Sequence, residues 1–176
     1  MKRETEEVKI TVEVEARGGI ETGDPVLDHL LETLFFYMGK EVRIEAKGDL
    51  RHHLWEDLAI CLGEELSAKL GDRKIARFGR AVMPMDDALV LVVVDVSRSY
   101  LDFRLDAEEE EEGFSLGLVR EFLMGLSRST PLTLHVEKMH GFNVHHVIEA
   151  CFKGLGVALG EAFAPSTRLE STKGEI

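Results

Sequence analysis

The sequence predicts an α+β protein made of two similar β-β-α-β-α halves, with helices packed on one face of each sheet. Three observations point there: short strand patterns alternate with amphipathic helical ones, the same order returns in the second half, and the helices closing the two halves align without gaps 93 residues apart. Val8, Ile10, Val12 and Val14 recur at every second position up to Glu15, the period of a strand with one buried face. Thr22 and Asp24 offer caps and Pro25 suits a first turn. Leu27, Leu30, Leu31, Leu34, Phe35 and Met38 then recur at helical spacing until Gly39. Val42, Ile44 and Ala46 alternate as a strand, and Gly48-Asp49 leads into a helix from about Arg51 to Leu70 that Gly71-Asp72 closes.

In the second half, Ala76 to Met83 and Leu89 to Val96 read as strands, the latter so apolar that it belongs inside its sheet, with an extension from Tyr100 to Phe103. Ser115 to Leu126 reads as a helix, Leu132, Leu134 and Val136 as a strand, and His145 to Phe163 as the last helix. In the gapless alignment His52, His53, Glu56, Leu62, Gly63 and Leu66 fall on His145, His146, Glu149, Leu155, Gly156 and Leu159. Such agreement implies an internal duplication, with residues 1–72 as one half and 73–176 as the other in one compact domain.

Composition excludes several classes. With 176 residues the chain is long enough to bury roughly 70% of its unfolded surface, so neither a metal nor a disulfide is needed merely to fold it. A net charge of −12, from 33 acidic and 21 basic side chains, argues against a nucleic-acid partner, which demands clustered Lys and Arg. The Glu108 to Glu112 run reads most simply as a solvated loop that aids solubility. The longest apolar run, Ala88 to Val94, is too short to cross a membrane, and the N-terminus lacks the apolar stretch of a signal peptide, so a cytoplasmic protein is expected. Cys61 and Cys151 lie within apolar helical patterns and read as buried thiols.

The chemistry-bearing pattern is His-His-x-x-Glu, present at His52-His53-Leu54-Trp55-Glu56 and again at His145-His146-Val147-Ile148-Glu149. On a helix the first His and the Glu share a face, whereas the second His points about 100° away, so one helix offers ligands in two directions. That suits a pair of metal ions. His29, in the first turns of its helix, and His135, on the strand before the second motif, are placed to complete the coordination. Six imidazoles and two carboxylates suit Mn, Fe, Co, Ni or Zn, and open positions for water or substrate favour the octahedral ions. The bland alternative is a pair of solvated helix starts whose Glu complements the helix dipole. Trp55 reads as packing and His140 as a loop residue with no metal role.

With these residues in view, the chain resembles the imidazoleglycerol-phosphate dehydratase family. The resemblance runs through Arg3-x-Thr5-x-Glu7, Leu27-Asp28-His29, both His-His-x-x-Glu motifs, Arg77-Phe78-Gly79, Pro84-Met85-Asp86, Val94-Asp95-Val96-Ser97, Thr133-Leu134-His135, Gly141-Phe142-Asn143-Val144-His145-His146, Ala150-Cys151-Phe152-Lys153 and Ser171-Thr172-Lys173-Gly174. It implies a fold like the second domain of a small-subunit ribosomal protein, and a lyase that dehydrates imidazole glycerol phosphate to imidazole acetol phosphate in histidine biosynthesis. It further implies two Mn(II) per active site and a 24-subunit shell with active sites between subunits. By the same resemblance His29, His52, His53, Glu56, His135, His145, His146 and Glu149 hold metal, and Glu7 stands near the reacting carbon. Arg77, Arg98, Lys153, Ser171, Thr172 and Lys173 then hold the phosphate, in a C-terminal phosphate-binding tail for the last three.

The chemistry explains why such residues are wanted. The leaving hydroxyl sits on the carbon attached to the imidazole ring, while the departing proton is on the next carbon, which has no carbonyl to acidify it. A ring bound through both nitrogens can ionise to an imidazolate and expel the hydroxyl, giving a diazafulvene-like intermediate whose neighbouring C–H is acidic. A carboxylate such as Glu7 can act first as acid and then as base. Arg77 and Arg98 offer forked donors, and Lys153 and Lys173 point charges, to a phosphate dianion. Two other classes stay open at this point: a dinuclear hydrolase of phosphate esters, and a non-catalytic metal-binding shell protein. The chain departs from the family pattern at Leu50-Arg51 and Leu54-Trp55 around the first motif, in a contracted Arg17 to Glu21 turn, and in a Ser97-Arg98-Ser99-Tyr100 segment one residue short.

Overall fold

The computed structural model describes residues 1–71, 73–109 and 111–172. Asp72, the expected end of the first half, and Lys173, expected to hold phosphate, lie outside the described residues. The first half runs β1 (Lys2–Glu4), β2 (Val8–Val14), β3 (Ile20–Glu21), α1 (Pro25–Met38), β4 (Val42–Gly48) and α2 (Arg51–Leu70). The second runs β5 (Phe78–Met85), β6 (Ala88–Val96), β7 (Tyr100–Arg104), α3 (Leu116–Ser129), β8 (Leu132–His140) and α4 (Val144–Ala162). Each half therefore has four strands where the β-β-α-β-α pattern has three, and in the second half the extension from Tyr100 is the additional strand β7. The sequence pattern misses β1 and β3 because Lys2–Glu4 is wholly polar and Ile20–Glu21 spans only two residues. Such edge strands are defined by backbone hydrogen bonds, and alternation has no room to show itself. His140, read as a loop residue, is the exposed last residue of β8.

The two sheets have equivalent strand orders, β1-β2-β4-β3 and β5-β6-β8-β7. Within each, the last strand to join lies parallel to its neighbour, β3 on β4 and β7 on β8, and the other pairs are antiparallel. Registers such as Val12 opposite Ile44 and Val92 opposite Val136 put buried side chains together on one face of each sheet. The interior position of the apolar β6 agrees with the sequence expectation.

Across the halves α2 packs on α3 and α1 packs on α4, while α2 also covers β2 and α4 covers β5 and β6. The shared glycines of the duplicated motif make this possible. A Cβ on Gly156 would lie 2.4 Å from the Leu34 carbonyl oxygen, and one on Gly63 would lie 2.7 Å from the Ser129 Cβ and 3.1 Å from the Leu126 carbonyl oxygen. Each glycine thus lets its helix approach the backbone of the opposite half. Trp55 sits fully buried at this junction, edge-on to Phe122, which in turn meets Phe152.

Asp24 ties the helix starts together. Its carboxylate accepts from the Val26 and Leu27 amides as the α1 cap, from Arg51 Nε at 2.7 Å and from Trp55 Nε1 at 2.9 Å. Arg51 Nη2 also donates to the Gly113 carbonyl at 2.7 Å. Arg51 and Trp55, two of the departures from the family pattern, are therefore structural partners of one buried carboxylate beside His52 and Glu56.

Candidate metal centre

The two faces of the His-His-x-x-Glu helices behave as their spacing requires. At the start of α4, Asn143 caps the helix through the His146 amide, which turns His145 and His146 towards different neighbours. His145 Nε2 lies 3.0 Å from Glu149 Oε2, and His29 Nε2, reaching across from α1, lies 3.1 Å from the same oxygen. Among the described residues, His29, His145 and Glu149 thereby form a group of potential metal ligands whose donor atoms lie within 4.8 Å of one another. Lys153, one turn on, donates to the other Glu149 oxygen at 2.8 Å and touches Met85 sulfur.

Glu149 is only 8% exposed. Burial works against its charge, but hydrogen bonds from Lys153 and His29, the Lys153 ammonium and His145 prevail and hold its carboxyl down to about 2. A carboxylate ionised so firmly, with one oxygen between two imidazole nitrogens, is a ready cation ligand. Two imidazole nitrogens and a carboxylate oxygen also suit a divalent transition ion in their chemistry. The residues present fit a metal.

The other expected ligands stand apart from this trio. On α2, His52 Nε2 faces Glu56 Oε2 at 3.5 Å. His53 turns away and meets Asp49 at 2.7 Å and Glu7 Oε2 at 3.8 Å through Nδ1. The Asp49 hydrogen bond, with the Glu7 and Asp49 charges, raises the His53 pKa against the opposing effect of burial. His146 meets Asp87 through Nδ1 and Asp86 through Nε2, the latter at 3.2 Å. The Asp87 hydrogen bond is the main reason its pKa is raised. Asp87 itself, fixed first by the Phe142 amide and then by His146, has its carboxyl lowered to about 2. His135 projects from the exposed face of β8, as its position in the alternation requires, with Asp102 3.4 Å from Nδ1 and the Tyr100 ring 5.5 Å away. One chain thus gathers His29, His145 and Glu149 and presents His52, Glu56, His53, His146 and His135 at separate places.

Of the residues expected to hold phosphate, Lys153 stands beside the trio. Arg77 is forked onto Asp95, with Nε at 2.7 Å and Nη2 at 3.1 Å, and its Nη1 donates to the Glu170 carbonyl at 2.7 Å. That bond, together with the pairing of Ile75 with Pro165, draws the C-terminal segment along residues 74–77 and brings Ser171 and Thr172 into Arg77's neighbourhood. Arg98 is exposed at the turn after β6, where its carbonyl accepts from Thr133.

The carboxylates that hold the histidines, Asp49, Asp86, Asp87, Asp102 and Glu111, are the functional neighbours that sequence reasoning missed. Asp49 carried a signal, standing four residues before His53. The others are brought in by turns and strand pairing. The Glu108 to Glu112 run is also more than a solvated loop, because Glu111 contacts His145 Nδ1 at 3.1 Å. None of the described helices is long and apolar enough to cross a membrane.

The family model of imidazoleglycerol-phosphate dehydratase matches residues 22–159. The chain is 51% identical over 177 residues to the imidazoleglycerol-phosphate dehydratase of Pyrococcus furiosus, with all of both chains covered. It is 45% identical to that of Desulforudis audaxviator, covering all of this chain and 96% of the relative. A crystal structure of the Pyrococcus furiosus protein superposes with a TM-score of 0.97 over the whole of both chains. That of the Staphylococcus aureus dehydratase does so at 0.85, with 34% identity over 94% of this chain and 98% of the other.

Proposed function

The chain belongs to the imidazoleglycerol-phosphate dehydratase family, and from that membership we propose that it removes water from imidazole glycerol phosphate to give imidazole acetol phosphate in histidine biosynthesis. The observation that carries the reading is the convergence of His29 and His145 on one oxygen of the buried Glu149, at 3.1 and 3.0 Å. We assign two Mn(II) per active site, held by His29, His52, His53, Glu56, His135, His145, His146 and Glu149. When bound, the ions supply the positive charge that lets the substrate ring give up its proton and take up electron density.

The chain's own residues do the rest. Glu7, exposed and 3.8 Å from His53 Nδ1, stands beside a proposed ligand with its carboxylate open to a substrate. In its protonated form it donates a proton to the leaving hydroxyl, and the carboxylate so formed accepts one from the adjacent carbon, so that water departs and an enol remains to become the ketone. Asp95 holds the Arg77 guanidinium in one orientation. From there Arg77, with Arg98, Lys153, Ser171, Thr172 and Lys173, binds the phosphate dianion. The spread of ligands over separate places supports a site completed by neighbouring copies, in the 24-subunit shell that the family resemblance implies. Exposed apolar side chains at Phe36, Phe78, Val82, Tyr100, Met139 and Phe142 supply surface for such contacts. The halves bounded near residue 72 are read as products of duplication, and a cytoplasmic location is proposed.

The discriminating variant is Glu7→Gln. It is expected to abolish ketone formation while metal content and assembly persist; a Glu7→Gln protein that turns over normally would remove Glu7 from the chemistry. Release of inorganic phosphate by the unmodified protein, in place of the ketone, would mark a phosphate-ester hydrolase instead.

A further inference from the structure

The acidic run after β7 makes a specific contact with the metal centre. Both Glu111 oxygens face His145 Nδ1, at 3.1 and 3.3 Å, and the Phe114 ring stacks on the His145 imidazole with centroids 4.2 Å apart and planes 19° from parallel. The segment carrying them is anchored at both ends. The Glu108 and Glu109 amides donate to the Phe142 carbonyl, the Val144 amide donates to the Glu109 carbonyl, and the Gly113 carbonyl accepts from Arg51. The Phe114 amide closes a turn on the Glu111 carbonyl, and Ser115 caps α3 directly afterwards.

An imidazole has two nitrogens and, when neutral, one proton. A carboxylate can only accept, so Glu111 at Nδ1 keeps the proton there and leaves the lone pair on Nε2. Nε2, which lies 3.0 Å from Glu149 Oε2, is then the nitrogen left to meet an ion shared with that carboxylate. We propose that Glu111 is a positioning residue for the metal centre: together with the Phe114 stack it fixes the tautomer and plane of His145 so that Nε2 is permanently presented to the ion. This deepens the reading of His145 as a ligand and rests on it. The same logic recurs at His53 with Asp49, four residues before it, and at His146 with Asp87, 59 residues away in the β5–β6 turn. At His145 the carboxylate is delivered from 34 residues away by an acidic loop.

The test compares Glu111→Gln, Glu111→Leu, Glu149→Gln and Glu112→Gln with the unmodified full-length protein, by electron paramagnetic resonance titration of chelator-stripped samples with Mn(II). Glu112 is an exposed neighbour in the same run and controls for the loss of one charge. Loss of a partner of this kind weakens metal binding by about 10–100-fold. Glu111→Leu is expected to reach that range, Glu111→Gln to fall less because its amide oxygen still accepts, and Glu112→Gln to bind as the unmodified protein does. In metal-free samples with ¹⁵N-labelled histidine, His145 is expected to carry its proton on Nδ1, and Glu111→Leu to shift it towards Nε2 with the melting temperature unchanged. Mn(II) binding unaltered in both Glu111 variants, while Glu149→Gln loses it, would overturn the positioning role alone. Unaltered binding in Glu149→Gln as well would overturn both this role and the ligand reading beneath it.

Discussion

Replacing Asp24 by alanine removes the acceptor that joins the starts of α1 and α2, and the structure sets the size of the effect. Three losses add. The α1 cap, two backbone amides held by Oδ1, is worth about 1 kcal/mol. The Trp55 indole N–H, on a fully buried side chain, is left without its acceptor, which costs about 1–3 kcal/mol. The Arg51 guanidinium is 44% exposed, so its ion pair adds only about 0–1 kcal/mol. The total is about 2–5 kcal/mol, which for a chain of this size lowers the melting temperature by about 4–20 °C. Asp24→Asn keeps a capping oxygen but sets an amide N–H against donors, and should fall between alanine and the native residue. Arg51→Ala should cost less than either. Thermal unfolding of chelator-treated protein followed by circular dichroism reads all three. An Asp24→Ala protein melting within 1 °C of the original, or an Arg51→Ala protein less stable than Asp24→Ala, would refute the assignment of the burden to the buried indole and the cap.

Gly156→Ala should destabilise more than Gly63→Ala, because its added methyl meets a backbone oxygen at 2.4 Å whereas the nearest such contact at Gly63 is 3.1 Å; about 1–3 kcal/mol is the expected scale of the former, measured by urea unfolding. Metal-free protein should lose stability on acidification. Glu149 and Asp87 have folded pKa values lowered to about 2, so their contribution is present above the unfolded carboxyl range near pH 4 and disappears as pH falls through the folded value. Urea midpoints from pH 6 to 2 should therefore decline, and Glu149→Gln should flatten that slope. At the other end, the raised pKa values of His53 and His146 stabilise fully below about pH 6.5, and that contribution fades as pH rises through the folded values. Burial pushes the Cys61 thiol up to about 11 and the Cys151 thiol up to about 12, so iodoacetamide at pH 8 should label neither in the folded protein and both in urea, as read by intact mass.

Much of the fold was legible because its longest elements carry strong periods. The α1 stripe from Leu27 to Met38 and the β6 run from Ala88 to Val96 sit where the pattern puts them. Lys2–Glu4 and Ile20–Glu21 were not legible, since edge strands so short are fixed by their partners' backbone. At the site, the His-His-x-x-Glu spacing made legible that His145 and Glu149 share a face of α4 while His146 turns to other partners. What local sequence could not supply was the company they keep. Glu111 reaches His145 only because the chain folds back after β7, and Asp87 reaches His146 only because the β5–β6 turn lies beside the start of α4. The Trp55 substitution is intelligible only once Asp24, at the start of α1, is seen to accept from its indole on α2.

The most direct test is to strip the protein with a chelator, add back Mn(II) in steps, and follow the conversion of imidazole glycerol phosphate by mass spectrometry while counting bound ions. The account predicts no conversion without metal, and a loss of one water from the substrate as two ions per subunit are taken up, with the phosphate retained. Full dehydration by the metal-free protein, or a metal-loaded protein that leaves the substrate intact, would contradict it.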